Sequence, residues 1–206
     1  MLTLSQPRTD ASDIGFLDVK RKIGDAVLFG DPILLKNQNG KYVTAASRTL
    51  KAVGNLLSDD LMGFAVDLNL AAYFPRLGDS TKATLTFEAS QVDPPNQVPD
   101  GAKLFIVTQE SGVGAANFLG AWSDSHDCYY YNNYVQGGYV ENETWVVKQV
   151  DKSGQPLCYG DKIYLENFRF TGQRLSKDTR PLQGQWITTL TGGDYWIVEP
   201  AVTEGM

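Results

Sequence analysis

Phe29-Gly30-Asp31-Pro32-Ile33-Leu34-Leu35-Lys36-Asn37 returns later in the chain as Tyr159-Gly160-Asp161-Lys162-Ile163-Tyr164-Leu165-Glu166-Asn167. Both stretches read aromatic-Gly-Asp-x-Ile-x-Leu-x-Asn, at an offset of 130 from end to end (159 − 29 and 167 − 37). Repetition at a fixed spacing marks an architecture assembled from copies of one supersecondary unit. Within the phrase, Ile33-Leu34-Leu35 and Ile163-Tyr164-Leu165 are short apolar runs bounded by Gly-Asp before and Asn after, which is strand punctuation. The repeated Asp31 and Asp161 read as turn residues whose carboxylates accept backbone N–H bonds ahead of the strand, rather than as a duplicated ligand site.

Working outward, each run is followed by a turn and a second strand. The turns are Asn37-Gln38-Asn39-Gly40 and Asn167-Phe168-Arg169-Phe170-Thr171-Gly172. The second strands are Lys41-Tyr42-Val43-Thr44-Ala45 and Gln173-Arg174-Leu175-Ser176-Lys177. A fainter middle copy has a first strand at Asp100–Val107, a Gly-rich turn at Ser111-Gly112-Val113-Gly114 and a second strand at Asn117–Trp122. All three units close on an alternating strand: Ala83–Glu88, Glu143–Lys148 and Asp194–Glu199. In these strands Leu85, Trp145 and Trp196 share a parity with Phe87, Val147 and Val198, so the large residues are expected on one face. Turns such as Gly137-Gly138 and Thr191-Gly192-Gly193 precede the closing strands, and Gln185–Leu190 adds a further strand to the last unit.

About four strands per unit and no long amphipathic helix predict a closed all-β structure, because three units together bury the apolar face and the edges that one cannot. The chain resembles the β-trefoil superfamily in its fascin-like, MIR-like branch. The basis is the F/Y-G-D-x-I-x-L-x-N phrase, the Gly172-Gln173-Arg174-Leu175-Ser176 stretch and the Trp-bearing closing strands. The Q-x-W signature of ricin-type trefoils is missing, since Gln185 and Trp186 are adjacent. The resemblance implies a β-trefoil of three four-stranded repeats with an N-terminal arm. The arm covers residues 1–21, with a short apolar run at Ile14–Val19, and a single domain covers 22–201. Its repeats lie at about 22–90, 98–150 and 151–201. The first is enlarged: residues 46–82 hold a stretch that reads either as a short helix capped by Ser58 or as a hairpin. Gln91–Pro99, with Pro94 and Pro95, reads as a stiff connector between copies one and two.

Composition narrows function mainly by exclusion. With 42% hydrophobic and 20% charged residues the chain is an ordinary globular protein. A net charge of −6 argues against nucleic acid or an anionic membrane as partner, and Lys20-Arg21-Lys22 is too short a basic run to reverse that. No segment approaches the roughly 20 apolar residues of a membrane span. Cys128 and Cys158 are the only cysteines and read as two reduced thiols. Met1–Arg8 lacks the basic and apolar regions of a signal peptide, so the expected location is the cytoplasm or a leaderless secreted pool. No nucleotide-binding, zinc-protease or nucleophile-elbow motif occurs. No catalytic residue, metal or cofactor is assigned.

The densest chemistry lies between the second and third strands of the middle copy, in Trp122-Ser123-Asp124-Ser125-His126-Asp127-Cys128-Tyr129-Tyr130-Tyr131-Asn132-Asn133-Tyr134. Aromatic faces cover the C–H face of a pyranose, while carboxylates and amides bond its hydroxyls. The candidate ligand-binding residues are therefore Trp122, Asp124, His126, Asp127, Tyr129, Tyr131, Asn132 and Asn133. The competing reading has alternate tyrosines filling the barrel base. Asp124, His126 and Asp127 have ligand chemistry for a metal but form only one local cluster, and Cys128 with His126 has no oxyanion-hole signature beside it. The function expected from the trefoil resemblance is a lectin-like module recognising carbohydrate. The alternative is a protein-binding trefoil, either a protease inhibitor or a fascin-like interaction module, and after it an enzyme using His126.

Overall fold

The structure is a computed structural model and describes residues 20–49, 71–78, 82–110, 117–121, 128–131, 140–179 and 186–201. Twelve strands and one helical turn are found among them. They are β1 (Pro32–Asn37), β2 (Tyr42–Thr49), β3 (Ala71–Gly78), β4 (Leu85–Ala89), β5 (Lys103–Thr108), β6 (Phe118–Ala121), β7 (Cys128–Tyr131), α1 (Val140–Glu143), β8 (Thr144–Gln149), β9 (Lys162–Asn167), β10 (Gln173–Lys177), β11 (Ile187–Thr191) and β12 (Trp196–Pro200). All strand pairs are antiparallel. Six strands close a ring in the order β1–β4–β5–β8–β9–β12 and back to β1. Closure leaves none of these strands with an open edge. Three hairpins, β2–β3, β6–β7 and β10–β11, stand off the ring.

The Gly, Asp, Ile, Leu and Asn of the repeated phrase each have a structural task. Ile33, Leu35, Ile163 and Leu165 are fully buried, as are Leu104 and Ile106 at the matching places in β5. The closing strands turn Leu85, Phe87, Trp145, Val147, Trp196 and Val198 into the same core, all fully buried. Period-two alternation puts them there, since one face of each ring strand points inward. Gly30 and Gly160 have φ of +80° and +94°, and Gly101 matches them at +79°. Gly30, Gly101 and Gly160 donate their N–H groups to the Phe87, Val147 and Val198 carbonyls at 3.0, 2.8 and 2.7 Å, respectively. The Asp31 carboxylate accepts the Leu28 N–H and the Asp161 carboxylate accepts the Cys158 N–H, as turn chemistry requires. A third Gly-Asp pair, Gly24-Asp25, makes the same bond to the Lys22 N–H. The final Asn of the phrase caps the next turn: Asn37 accepts from Asn39 and Lys41, and Asn167 from Arg169 and Phe170.

The base of the ring is closed by a cycle of backbone bonds. Val27 donates to Leu157, Leu157 to Val98, and Val98 back to Val27, at 2.9, 2.8 and 2.9 Å. All three residues are fully buried. Each precedes its positive-φ glycine by the same three positions, at Gly30, Gly101 and Gly160. The Gln91–Pro99 connector thus returns into the base, pinned by Phe29 N–H to the Asn96 carbonyl and by Val98.

Some expectations shift in detail. In the enlarged first unit, β2 and β3 pair over eight residues, from Tyr42↔Gly78 to Thr49↔Ala71, so the part of 46–82 that is described is a long hairpin. Ser58 and its neighbours lie outside the described residues. So do Ile14–Val19 of the arm and the Ser111–Gly114 and Gly137-Gly138 turns. Glu143, expected as the first residue of a strand, instead ends α1. The Thr144 hydroxyl donates to the Val140 carbonyl, and Asn142 donates to the Ala121 carbonyl, which hold this single turn in place. Cys128 is buried, Cys158 is half-buried, and neither is in a disulfide.

One ion-paired cluster ties β12 to β1 and β2. Glu199 accepts from Lys36 Nζ at 2.9 Å and from the Tyr42 hydroxyl at 2.8 Å. Burial pushes the Glu199 carboxyl up, but these two bonds and the Lys36 and Lys82 charges hold it below the ordinary carboxylate value. A depressed folded-state pKa contributes stability that is complete above the ordinary glutamate pKa and is lost as pH falls through the folded value. Glu199→Gln is expected to lower the urea midpoint at neutral pH and to lose less on acidification to about pH 3 than the parent protein does. Equal acid sensitivity of the two proteins would show that Glu199 carries none of it.

Candidate functional site

The site is built where the three hairpins meet. Strand β7 runs between β6 and β3, with Leu119↔Tyr130 on one side and Tyr73↔Tyr130 on the other. Alternation along β7 sorts its residues. Cys128 and Tyr130 point into the main core, whereas Tyr129 and Tyr131 take the opposite parity. The Tyr130 hydroxyl has no hydrogen-bond partner among the described residues. Burial first, and then the Glu110 charge, push its pKa well above the usual phenol value, so it stays neutral.

On the opposite face an aromatic cluster draws on all three hairpins. Phe74 of β3 lies 5.8 Å from Tyr129 in a tilted pair and 6.2 Å from Trp186 edge-on. Tyr129 and Tyr131 meet edge-on at 6.0 Å. A backbone bridge between Arg76 and Trp186 brings the start of β11 against β3. It sets the Arg76 guanidinium 5.8 Å from the centre of the Trp186 ring. Phe74 and Tyr129 are buried; Arg76, Tyr131 and Trp186 are half-buried. Each aromatic pair contributes about 0.5–1.5 kcal/mol beyond its burial, so the cluster is a firm platform rather than a set of loose rings. Its half-buried rings, Tyr131 and Trp186, are of the kind that can offer a ligand an aromatic face.

Of the eight residues singled out in the sequence, Tyr129 and Tyr131 belong to this cluster. Trp122, Asp124, His126, Asp127, Asn132 and Asn133 lie outside the described residues. Phe74, Arg76 and Trp186 escape sequence reasoning, because each sits in a different unit from the tyrosines. The only local signal is Trp186 at the head of an alternating strand, where one large ring precedes the core residue Ile187.

Two other charged places have structural partners. Lys148 and Arg174 both pair with Glu166, at 2.8 and 3.9 Å, and Arg174 also stacks 3.8 Å from the Tyr164 ring centre. A polar cleft of about 190 Å³ is lined by Gln149, Asp151, Lys152, Gly160, Asp161 and Lys162. Its lysines are engaged by its own carboxylates, Lys152 by Asp161 and Lys162 by Asp151. Among the described residues, no three His, Cys, Asp or Glu side chains gather as a metal would need. No helix among them is long and apolar enough to cross a membrane.

No protein-family model matches the sequence, and no curated protein matches it either. Solved structures do resemble the fold. Lysenin in complex with phosphocholine aligns with a TM-score of 0.62 at 18% identity, over 89% of this chain and 49% of lysenin. The SDF2-like protein from Arabidopsis thaliana aligns with a TM-score of 0.55 at 11% identity, over 84% of this chain and 94% of that one. A structure of type II water-soluble Chl-binding proteins aligns with a TM-score of 0.56 at 7% identity, over 88% and 99%. The chain spans about half the length of the lysenin chains it resembles. At these identities the likeness is one of fold.

Proposed function

We propose that residues 22–201 form a single β-trefoil of three repeats, at about 22–90, 98–150 and 151–201, in the fascin-like, MIR-like manner, and that it acts as a lectin-like binding module. The six-stranded ring, the three stand-off hairpins and the cyclic bonding of Val27, Leu157 and Val98 support the threefold reading. The binding reading rests on one observation: rings from three hairpins converge at Phe74, Tyr129, Tyr131 and Trp186, with Arg76 beside them. A sugar ring stacks its C–H face on such aromatics and bonds its hydroxyls to neighbouring polar groups. The stretch that joins β6 to β7 carries Trp122, Asp124, His126 and Asp127, and Asn132 and Asn133 follow β7, so the same hairpin supplies groups of the required kind. That lysenin has been solved with phosphocholine is a fact about lysenin; it supports the view that this fold accommodates a small ligand.

The test is a glycan array probed with the purified chain, followed by titration of the best ligand. Trp186→Ala and Tyr131→Ala are each expected to weaken binding about tenfold or more, the equivalent of about 1.4 kcal/mol. Far-UV circular dichroism confirms that the variants remain folded. Absence of glycan binding at millimolar concentration, together with a protein recovered by pull-down and competed by the Trp186 variant's parent, would replace the lectin reading with the protein-binding one.

A further inference from the structure

We infer that the outer face of the ring carries a second ligand site, for a singly charged oxyanion such as a carboxylate or a sulfate ester, held by Arg174 with Lys148 beside it. The site is separate from the aromatic cluster and does not rest on the saccharide reading.

Strand alternation builds the place. Lys148 of β8, Tyr164 and Glu166 of β9 and Arg174 of β10 take the parity opposite to the core residues Val147, Leu165 and Leu175. The register sets Lys148 opposite Tyr164 and Arg174 opposite Glu166. The Arg174 guanidinium lies over the Tyr164 ring, 3.8 Å from its centre. Among the described residues, Glu166 is the one carboxylate that pairs with it, at 3.9 Å, which is too long for a hydrogen bond. Glu166 already accepts Lys148 Nζ at 2.8 Å and the Gly172 N–H. The Arg174 Nε is enclosed and has no acceptor. The side chain is 26% exposed, and its Nη groups are not among the enclosed atoms that lack a partner, so they are the part that reaches the surface.

Two cations therefore share one carboxylate, a local charge of +1 (2 − 1) in a chain of net charge −6. A guanidinium held on a ring and largely covered gives up hydration that no hydrogen-bonded partner in the chain replaces. A group with two oxygens matches its planar fork. One negative charge suits the place, because a second would face Glu166 with no cation left to offset it. The carrier of the oxyanion has apolar neighbours to cover. Leu190 stands opposite Arg174 on β11 and Val146 opposite Glu166 on β8, both half-buried. Directly opposed residues share a sheet face, so these two flank the fork. Most of the acidic surface repels such a ligand, which confines it to this spot and makes its binding weaken with salt.

The experiment uses the whole chain, isotope-labelled for nuclear magnetic resonance, and follows the Arg174 Nε–H signal, identified by its loss in Arg174→Gln. Acetate and methyl sulfate are the singly charged probes, phosphate above its second pKa is the doubly charged one, and chloride at matched ionic strength is the control. Acetate or methyl sulfate is expected to shift the signal saturably in the millimolar range, phosphate about tenfold more weakly, and chloride not at all. Lys148→Gln is expected to weaken acetate about tenfold, since Glu166 then offsets Arg174 alone. Glu166→Gln is expected to reverse the order and favour phosphate, because the local charge rises. A merely structural role for these residues predicts neither change. In Arg174→Gln the saturable shift of the Leu190 backbone amide should vanish. Methyl glucuronide and N-acetyl-leucine then present one carboxylate on a sugar and on a peptide-like carrier, and the tighter of the two identifies the source. Equal affinity of both with acetate would overturn the part given to Val146 and Leu190. A shift that chloride reproduces, a failure of every oxyanion to saturate, or a preference of the unsubstituted chain for phosphate would overturn the inference. None of these results bears on glycan binding at Trp186 and Tyr131, and the titrations of the unsubstituted chain need no variant to fold.

Discussion

Trp145→Ala is expected to destabilise the protein by about 4 kcal/mol, within the range for removing a buried tryptophan. Trp145 is fully buried in β8, between Leu104 of β5 and Asn167 of β9. Its indole Nε1 donates to the Leu119 carbonyl at 2.7 Å, which ties the ring of strands to the β6–β7 hairpin. Alanine would leave a cavity in the hydrophobic core and remove that bond as well. A loss of about 4 kcal/mol is a large part of the 5–15 kcal/mol that stabilises a typical domain. Trp145→Phe separates the two contributions: it keeps most of the ring volume and loses the N–H, so about 1–2 kcal/mol is expected. Trp145→Leu copies what the first unit already has at Leu85 and should fall between. Urea unfolding with a constant m-value gives the order. The same order is expected at Trp196, whose Nε1 donates to the Leu175 carbonyl at 2.8 Å. If Trp145→Phe proved as damaging as Trp145→Ala, the hydrogen bond and not the packing would dominate.

Gly193→Ala is expected to cost about 2–3 kcal/mol, the upper part of the range for overpacking a tight site. The reason is a close approach in the turn between β11 and β12. A Cβ at Gly193 would overlap the Ser176 hydroxyl and lie 3.2 Å from the Arg174 carbonyl oxygen. Ser176 has little room to yield. It is fully buried, donates to the Arg174 carbonyl at 3.1 Å and accepts the Asp194 N–H at 2.8 Å. Ser176→Ala alone should cost about 1 kcal/mol for the lost bonds. The double variant should then be more stable than the sum of the two, by about 1 kcal/mol or more, because the worst overlap has gone. Strict additivity in this cycle would mean that the Gly193–Ser176 contact is not what makes glycine necessary.

Much of the scaffold was legible because its determinants are local. Period-two alternation in a six-residue strand places Ile33 and Leu35, or Trp145 and Val147, on one face whatever the strand pairs with. Gly30 and Asp31 make a turn from their own conformational and hydrogen-bonding preferences, and Gly160 and Asp161 repeat it. The middle unit was fainter for an equally local reason. There Ala102 replaces the turn aspartate, and Asp100 turns its carboxylate to the Gln149 and Gly154 N–H groups. Helix α1 was missed because four residues carry no periodic signal. It exists through Asn142 and Thr144, whose partners the sequence does not advertise.

The aromatic site lies at the other extreme. Tyr129 and Tyr131 could be picked out because they stand in a tyrosine run, and their shared face follows from alternation. Nothing local joins them to Phe74 or to Trp186. Those contacts arise from the β3–β7 pairing at Tyr73↔Tyr130 and from the Arg76–Trp186 bridge, which link residues of different units across the tops of three hairpins. The repeated phrase therefore accounts for the buried faces and turns of the ring, where each residue answers to its immediate neighbours. That the rings of Phe74, Tyr129, Tyr131 and Trp186 gather at one place follows only from chain segments far apart in sequence being brought edge to edge by long-range hydrogen bonding.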